Sequence, residues 1–258
     1  MASWAWRVLI ALVLTAGVAP VGCEPAEVGQ VGYDDELDPE ILADEEGKAD
    51  EAAACANHPG GSLAGDDLLV PINKEQQRQL RSDWAPSDLA PIVAPNIMPG
   101  RDGLARRAAV AAFTEMAAAA AAEASLALVV RSAYRSFATQ CYTFNYKVET
   151  NGYDHAARFS ARPGRSEHQL GTALDITSRG LDYELTQAMG GTPEGVWLAR
   201  NAYRFGFGLS YPEGMETFTG YGYEPWHWRY VGRDLARQIH ESGQVPRRFL
   251  WENSESLP

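Results

Sequence analysis

The stretch Ser166-Glu167-His168-Gln169-Leu170-Gly171-Thr172-Ala173-Leu174-Asp175 sets an imidazole and a carboxylate seven positions apart, with a glycine between them. Further along, Glu224-Pro225-Trp226-His227-Trp228-Arg229-Tyr230-Val231-Gly232 adds a second imidazole and a further carboxylate, that of Glu224. Two imidazoles and one carboxylate commonly hold a catalytic zinc with one coordination position open. A further carboxylate beside that position can take a proton from water. His168, Asp175 and His227 are thus candidate ligands, and Glu224 is the candidate base. Each also has an ordinary reading. His168 and Asp175 taken alone are better explained as a structural hydrogen-bonded pair, and a set of two histidines and one aspartate also suits iron or another metal. The sequence contains no His-Glu-x-x-His, which excludes the commonest helical zinc-protease arrangement. Arg135 follows the apolar run Leu126–Val130. It is either an exposed ion-pair partner or a cation at a strand end, placed to stabilise a developing oxyanion.

The elements around these residues read as follows. Leu68–Lys74 has the content of a short strand and Glu75–Leu80 that of a helical turn, while Trp84–Pro99 is irregular and punctuated by proline. Gly103–Ala127 is an alanine-rich run of strong helix formers, with Leu104, Ala108, Ala111, Met116 and Ala119 near one stripe. Leu126–Val130 is a strand by its apolar, β-branched content, and Phe137–Thr150 has helical spacing with Gln140 inside it. Asn151–Gly164 lacks a period and reads as a mobile loop, with His155 a bystander. Around Gly171 the pattern is strand, turn, strand. In Thr172–Thr177 Leu174 and Ile176 share the core face, which leaves Asp175 on the other. Asp182–Phe205 is helical in character, Gly206–Pro212 a strand and turn, and Glu213–Tyr221 a loop. Tyr223–Val231 is an aromatic strand whose start Pro225 keeps irregular. Asp234–Ser242 closes with a helix, and the tail after Leu250 reads as frayed.

Charge separates the chain into unequal parts. The formal net charge is −12, and residues 1–52 hold twelve acidic side chains against Arg7 and Lys48, which leaves −2 for residues 53–258. The remainder has no basic excess to suit nucleic acid. Met1–Gly22 carries one charge, Arg7, and an apolar run from Val8 to Val18, too short to span a bilayer and of the length of a signal-peptide core. Val21-Gly22-Cys23 resembles a bacterial lipoprotein box, so Cys23 is the expected lipidation site and the membrane is expected to be met only through that anchor. Residues 24–60 form an expected acidic, disordered linker, and 61–258 the folded domain. Export leaves Cys55 and Cys141 as a pair in an oxidising compartment, and a disulfide between them is expected.

Taken together, the motifs resemble the zinc D-alanyl-D-alanine carboxypeptidases of the vancomycin-resistance type. The likeness rests on Ser132-Ala133-Tyr134-Arg135-Ser136 with Gln140, and on Pro163-Gly164-Arg165-Ser166-Glu167-His168-Gln169 through Asp175. It continues through Asn201–Phe207, Ser210-Tyr211-Pro212 and Glu224–Gly232, and covers Leu68 to Leu250. Arg165 stands where the resemblance leads one to expect His. The resemblance implies a single catalytic domain of α+β class, a small central antiparallel sheet with flanking helices. It implies Zn2+ on His168, Asp175 and His227, with Glu224 as base, Arg135 on the substrate, and Ser166 and Gln140 lining the site. The implied partner is a peptidoglycan stem peptide ending in D-Ala-D-Ala, and the implied location is the bacterial cell envelope. A D,D-dipeptidase or a peptidoglycan endopeptidase would use the same site. A zinc-bearing wall-binding lipoprotein would need neither Glu224 nor Arg135.

Overall fold

Arg135, Ser166, His168, Asp175, Glu224 and His227 sit on or beside one four-stranded sheet. The structure, a computed structural model, describes residues 55–253 apart from 73, 75–77 and 102. In chain order the elements are β1 (Leu89–Ile92), β2 (Gly103–Arg106), α1 (Arg107–Ala124), β3 (Val129–Ser132), α2 (Phe137–Asn151) and α3 (Tyr153–Phe159). There follow β4 (Ala173–Thr177), α4 (Pro193–Asn201), β5 (Phe207–Leu209), α5 (Glu216–Thr219), β6 (His227–Tyr230), α6 (Arg233–Ser242) and α7 (Pro246–Glu252). β1 and β2 form a separate antiparallel pair, and the main sheet runs β3-β4-β6-β5 with every pairing antiparallel. The α+β architecture with a small antiparallel sheet is as expected.

The sheet has one core face and one cleft face, as strand alternation requires. Leu174, Ile176 and Trp228 pack on the core side with Ala109, Phe113, Met116 and Ala120 of α1 and Trp197 and Leu198 of α4. Alanines on that side of α1 let the helix approach closely, and Phe113 and Met116 fill the volume beneath. The register places Ser132 opposite Asp175 and Asp175 opposite His227, so three strands aim one row of polar side chains away from the core.

Several expected boundaries move. Gly103–Arg106 is a strand paired with the proline-bearing β1, and α1 begins only at Arg107. Its buried side is Ala109, Ala112, Phe113, Met116, Ala117 and Ala120, so of the expected stripe only Met116 is buried, and Leu104 is exposed. Alanine on every side gives little contrast from which to read a face. Within the expected loop Asn151–Gly164, Tyr153–Phe159 is helical, entered through Gly152 at φ +82°. Leu68–Ile72 is not a strand, because its carbonyls are taken by arginine side chains rather than by a neighbouring strand. Arg229 Nη2 donates to Leu68 O at 3.2 Å and Val70 O at 2.8 Å, and Arg247 Nη2 to Ile72 O at 2.8 Å. In the expected helical region Asp182–Phe205, only Pro193–Asn201 is α-helix, begun by the Thr192 cap on Gly195 N–H; short 3-10 turns flank it. The segment after Leu250 continues α7 as far as Glu252.

Cys55 and Cys141 are joined in a disulfide with Cα atoms 5.3 Å apart, the pairing expected once Cys23 is set aside. The bond pins the start of the described chain to α2, where His58 also meets Asn145 at 3.0 Å. The expected leader, Cys23 and the expected linker as far as residue 54 lie outside the described residues. Among the described residues no helix is long and apolar enough to cross a membrane.

Candidate active site

Ser166 to Gly171 is where sequence and structure diverge most usefully. The first arm of the expected hairpin is not a strand. Gln169, Leu170 and Gly171 N–H donate back to Ser166, Glu167 and His168 carbonyls, coiling the segment into consecutive tight turns. Gly171, at φ +68°, ends the coil and delivers the chain into β4. His168 and Asp175 still meet, with Nε2 and Oδ2 3.1 Å apart. His227, across the β4–β6 ladder, brings Nδ1 to 3.1 Å from Asp175 Oδ1. One ligand atom from each of the three residues lies within 4.8 Å of the others, and all three residues are buried.

These atoms fit a metal. Ligands on a tetrahedral zinc with bonds of ~2.1 Å are about 3.4 Å apart, close to the two spacings of 3.1 Å. Asp175 Oδ1 is buried and makes no well-aligned hydrogen bond although His227 Nδ1 lies 3.1 Å away, and a cation held by both atoms would satisfy it. The histidines are braced on their far sides. His168 Nδ1 donates to Ala133 O at 2.6 Å, and His227 Nε2 donates to Glu167 Oε2 at 3.0 Å. Each imidazole therefore turns its other nitrogen toward Asp175.

Glu224 enters from the turn before β6. Its backbone is tied at both ends, N–H to Tyr211 O and carbonyl to His227 N–H, and Oε2 lies 3.9 Å from His227 Nδ1. Burial pushes this carboxyl up to about 8; Asp175 adds to the rise, while His227, Lys147 and Arg135 pull against it. The opposite holds for Asp175. Burial opposes its charge, but His168 and His227 outweigh that cost and hold it far below the usual carboxylate range. For His227, burial disfavours the charged ring, yet hydrogen bonds with Asp175 and Glu167 raise it to about 10. His168 moves down, because burial exceeds the help of Asp175. Two carboxylates that face the same nitrogen of His227 are thus driven in opposite directions, the condition that lets one bind and the other shuttle a proton.

Arg135 is half-buried on the same cleft, after the β3 edge and before the Ser136 cap of α2. Its Nη1 donates to Gln140 Oε1 at 2.8 Å and its Nη2 to Ser132 Oγ at 3.1 Å. Ser166 lines the cleft, with Oγ accepting from His168 N–H at 3.3 Å. Gln140 lies behind Arg135 rather than on the cleft wall. Its amide nitrogen donates to Ala161 O at 2.7 Å and its oxygen takes Arg135, so the whole side chain is spent on positioning. Arg101, Arg131 and Lys147 add cationic side chains to the wall.

Three residues of the centre were not singled out in the sequence: Glu167, Ser210 and Arg229. Glu167 and Arg229 are wholly buried and paired at 3.0 Å, and Ser210 Oγ donates to Glu167 at 2.6 Å. Arg229 inside the aromatic run Trp226–Val231 was the only available signal; Glu167 stands among polar neighbours and gave none.

Comparison with known proteins follows the same lines. The family described as VanY, D-alanyl-D-alanine carboxypeptidase, matches residues 103–233. YodJ of Bacillus subtilis (strain 168), provisionally named a carboxypeptidase, is 38% identical over 182 residues, 69% of this chain and 64% of that protein. A D-alanyl-D-alanine carboxypeptidase of Enterococcus faecalis is 37% identical over 131 residues, 47% of each chain. The chain thus spans less than two thirds of the length of these relatives. Among solved structures, the L,D-carboxypeptidase LdcB is similar with TM-score 0.65 and 36% identity, over 73% of this chain and 87% of that one. A mutant of the vancomycin-resistance D,D-pentapeptidase VanY in complex with Zn(II) gives TM-score 0.58 and 27% identity, over 70% of this chain and 98% of that one.

Proposed function

The chain belongs to the VanY family of D-alanyl-D-alanine carboxypeptidases, and from that premise we propose that it is a zinc D,D-carboxypeptidase removing the terminal D-Ala from peptidoglycan stem peptides ending in D-Ala-D-Ala. The observation that carries this reading is the buried His168–Asp175–His227 cluster with Glu224 Oε2 3.9 Å from one of its imidazoles. Zinc on these three residues supplies a Lewis acid and brings the pKa of water toward neutrality.

The remaining work falls to side chains of this chain. Glu224, buried with Oε2 3.9 Å from His227 Nδ1, takes a proton from the attacking water and returns it to the departing amine. Arg135, steadied by Gln140 and Ser132, directs a guanidinium toward the carbonyl oxygen as charge develops there. Ser166 offers a hydroxyl to the peptide from the cleft wall. The polymer carrying such peptides lies outside the cytoplasmic membrane, in keeping with the export signal read at the N-terminus.

A second reading has its own support, because the LdcB structure, an L,D-carboxypeptidase, is similar over 73% of this chain. One experiment separates the possibilities. Zinc-loaded protein is incubated with stem pentapeptide, tetrapeptide and cross-linked muropeptides, and the products are weighed by mass spectrometry. Loss of one alanine from the pentapeptide, abolished by EDTA, is the expected result. Loss of alanine from the tetrapeptide alone indicates L,D-specificity, loss of two residues a dipeptidase, and opened cross-links an endopeptidase. No release from any of them overturns the reading.

A further inference from the structure

Glu167 is the one buried carboxylate of the centre that the chemistry above leaves unused. It sits between Ser166 and His168, yet its side chain turns away from the cleft and under β6. Oε2 accepts from His227 Nε2 at 3.0 Å and Ser210 Oγ at 2.6 Å, and Oε1 accepts from Arg229 Nη1 at 3.0 Å. Arg229 Nη2 continues to the carbonyls of Leu68 and Val70. The chain of contacts thus runs from a metal ligand to backbone in the segment 68–70, which lies outside the span 103–233 matched by the family.

We propose that Glu167 is a positioning residue for the zinc centre: it keeps the proton of His227 on Nε2, frees Nδ1 for the metal and fixes the ring plane, with Arg229 and Ser210 holding it in place. Segment 68–70 then serves the metal centre although it supplies no ligand, because its carbonyls anchor Arg229. The two histidines are oriented by different means, a backbone carbonyl for His168 and a carboxylate for His227. A carboxylate partner also makes the imidazole a stronger donor to the metal. The inference rests on the zinc reading of the site.

The competing explanation is that Glu167 only neutralises the buried Arg229. Removing one member of a buried pair destabilises a fold strongly, so Glu167→Gln alone could fail for that reason. Two other variants separate the roles. The double variant Glu167→Met with Arg229→Met removes both charges and the acceptor at similar volume, and Glu167→Asp keeps the charge but shortens its reach. Each is made in the full chain, stripped of metal, and titrated with zinc against a chromophoric chelator, with melting temperature measured in parallel. The proposal expects zinc affinity to fall about 10- to 100-fold in both variants, including in whichever of them melts like the wild type. Wild-type zinc affinity in either folded variant overturns it, since neutralising Arg229 would then be the whole role. A wild-type chain that takes up no zinc overturns the metal reading and this inference together. A wild type that takes up zinc but releases no alanine overturns the peptidase reading and leaves this one standing.

Discussion

At the scale of single residues, the centre works by pulling similar groups apart. Asp175 and Glu224 are both buried carboxyls near His227, but Asp175 has two imidazoles in contact whereas Glu224 has one at 3.9 Å. Burial therefore wins at Glu224, which is pushed up to about 8, and loses at Asp175. Glu224→Gln keeps the shape and removes the base. It is expected to retain one zinc per chain by atomic emission while turnover drops by about 10²–10⁴. Unchanged turnover would take Glu224 out of that role. The grouping of His168, Asp175, His227 and Glu224 was legible in the sequence because zinc chemistry restricts its ligands to few residue types and because Pro225 frees Glu224 and His227 from strand alternation. Glu167 was not legible. Nothing in the order Ser166-Glu167-His168 says which of two adjacent polar side chains faces the metal and which turns beneath the sheet; the coil of 166–171 decides it.

At the scale of elements, the site is a row across β3, β4 and β6 plus one coil that returns His168 to it. The row was partly legible: alternation in Thr172–Thr177 put Asp175 opposite Leu174 and Ile176, and the structure agrees. The coil was not, since a run bearing His, Gln and Leu before a glycine reads equally well as a strand arm. α3 and the β1–β2 pair escaped notice for related reasons, one behind Gly152 and the other behind prolines that mark irregular chain. The hinge of the coil can be tested. Gly171 stands at φ +68°, and a Cβ there would lie 2.9 Å from Arg106 Cγ and 3.2 Å from both Leu89 Cδ2 and Pro86 Cγ. Gly214 has φ +79° with nothing near its would-be Cβ. Gly214→Ala should cost about 1–2 kcal/mol for the left-handed backbone alone. Gly171→Ala should cost measurably more in urea unfolding and weaken zinc binding as well, because the strain falls between His168 and Asp175, two of the proposed ligands. Equal costs with unchanged zinc affinity would show that the coil tolerates displacement.

At the scale of the whole molecule, the metal-free centre should set how stability depends on pH. His227 is raised from 6.5 to about 10, so the stability it contributes is complete below 6.5 and is lost as pH climbs toward 10. Glu224 is raised from 4.5 to about 8, so the fold favours its neutral form, and that contribution is lost as pH rises from 4.5 through 8. Asp175 and Glu167 are depressed from 3.8 and 4.5, and their contributions are lost only in acid. Between pH 6 and 9 the first two groups therefore act in the same direction, Asp175 and Glu167 add no slope, and His168, lowered from 6.5, opposes them only at the acid end of that window. Zinc should reverse the trend, since it requires a neutral His227 and favours an ionised Glu224, and its binding releases protons that are cheaper to release at high pH. The melting temperature of EDTA-treated protein is accordingly expected to fall from pH 6 to pH 9, and the gap between zinc-loaded and metal-free protein to widen over the same range. Glu224→Gln should flatten part of the metal-free slope without removing the contribution of His227. A gap that stays constant or narrows with rising pH would mean that the charge on His227 and Glu224 is not what the metal replaces.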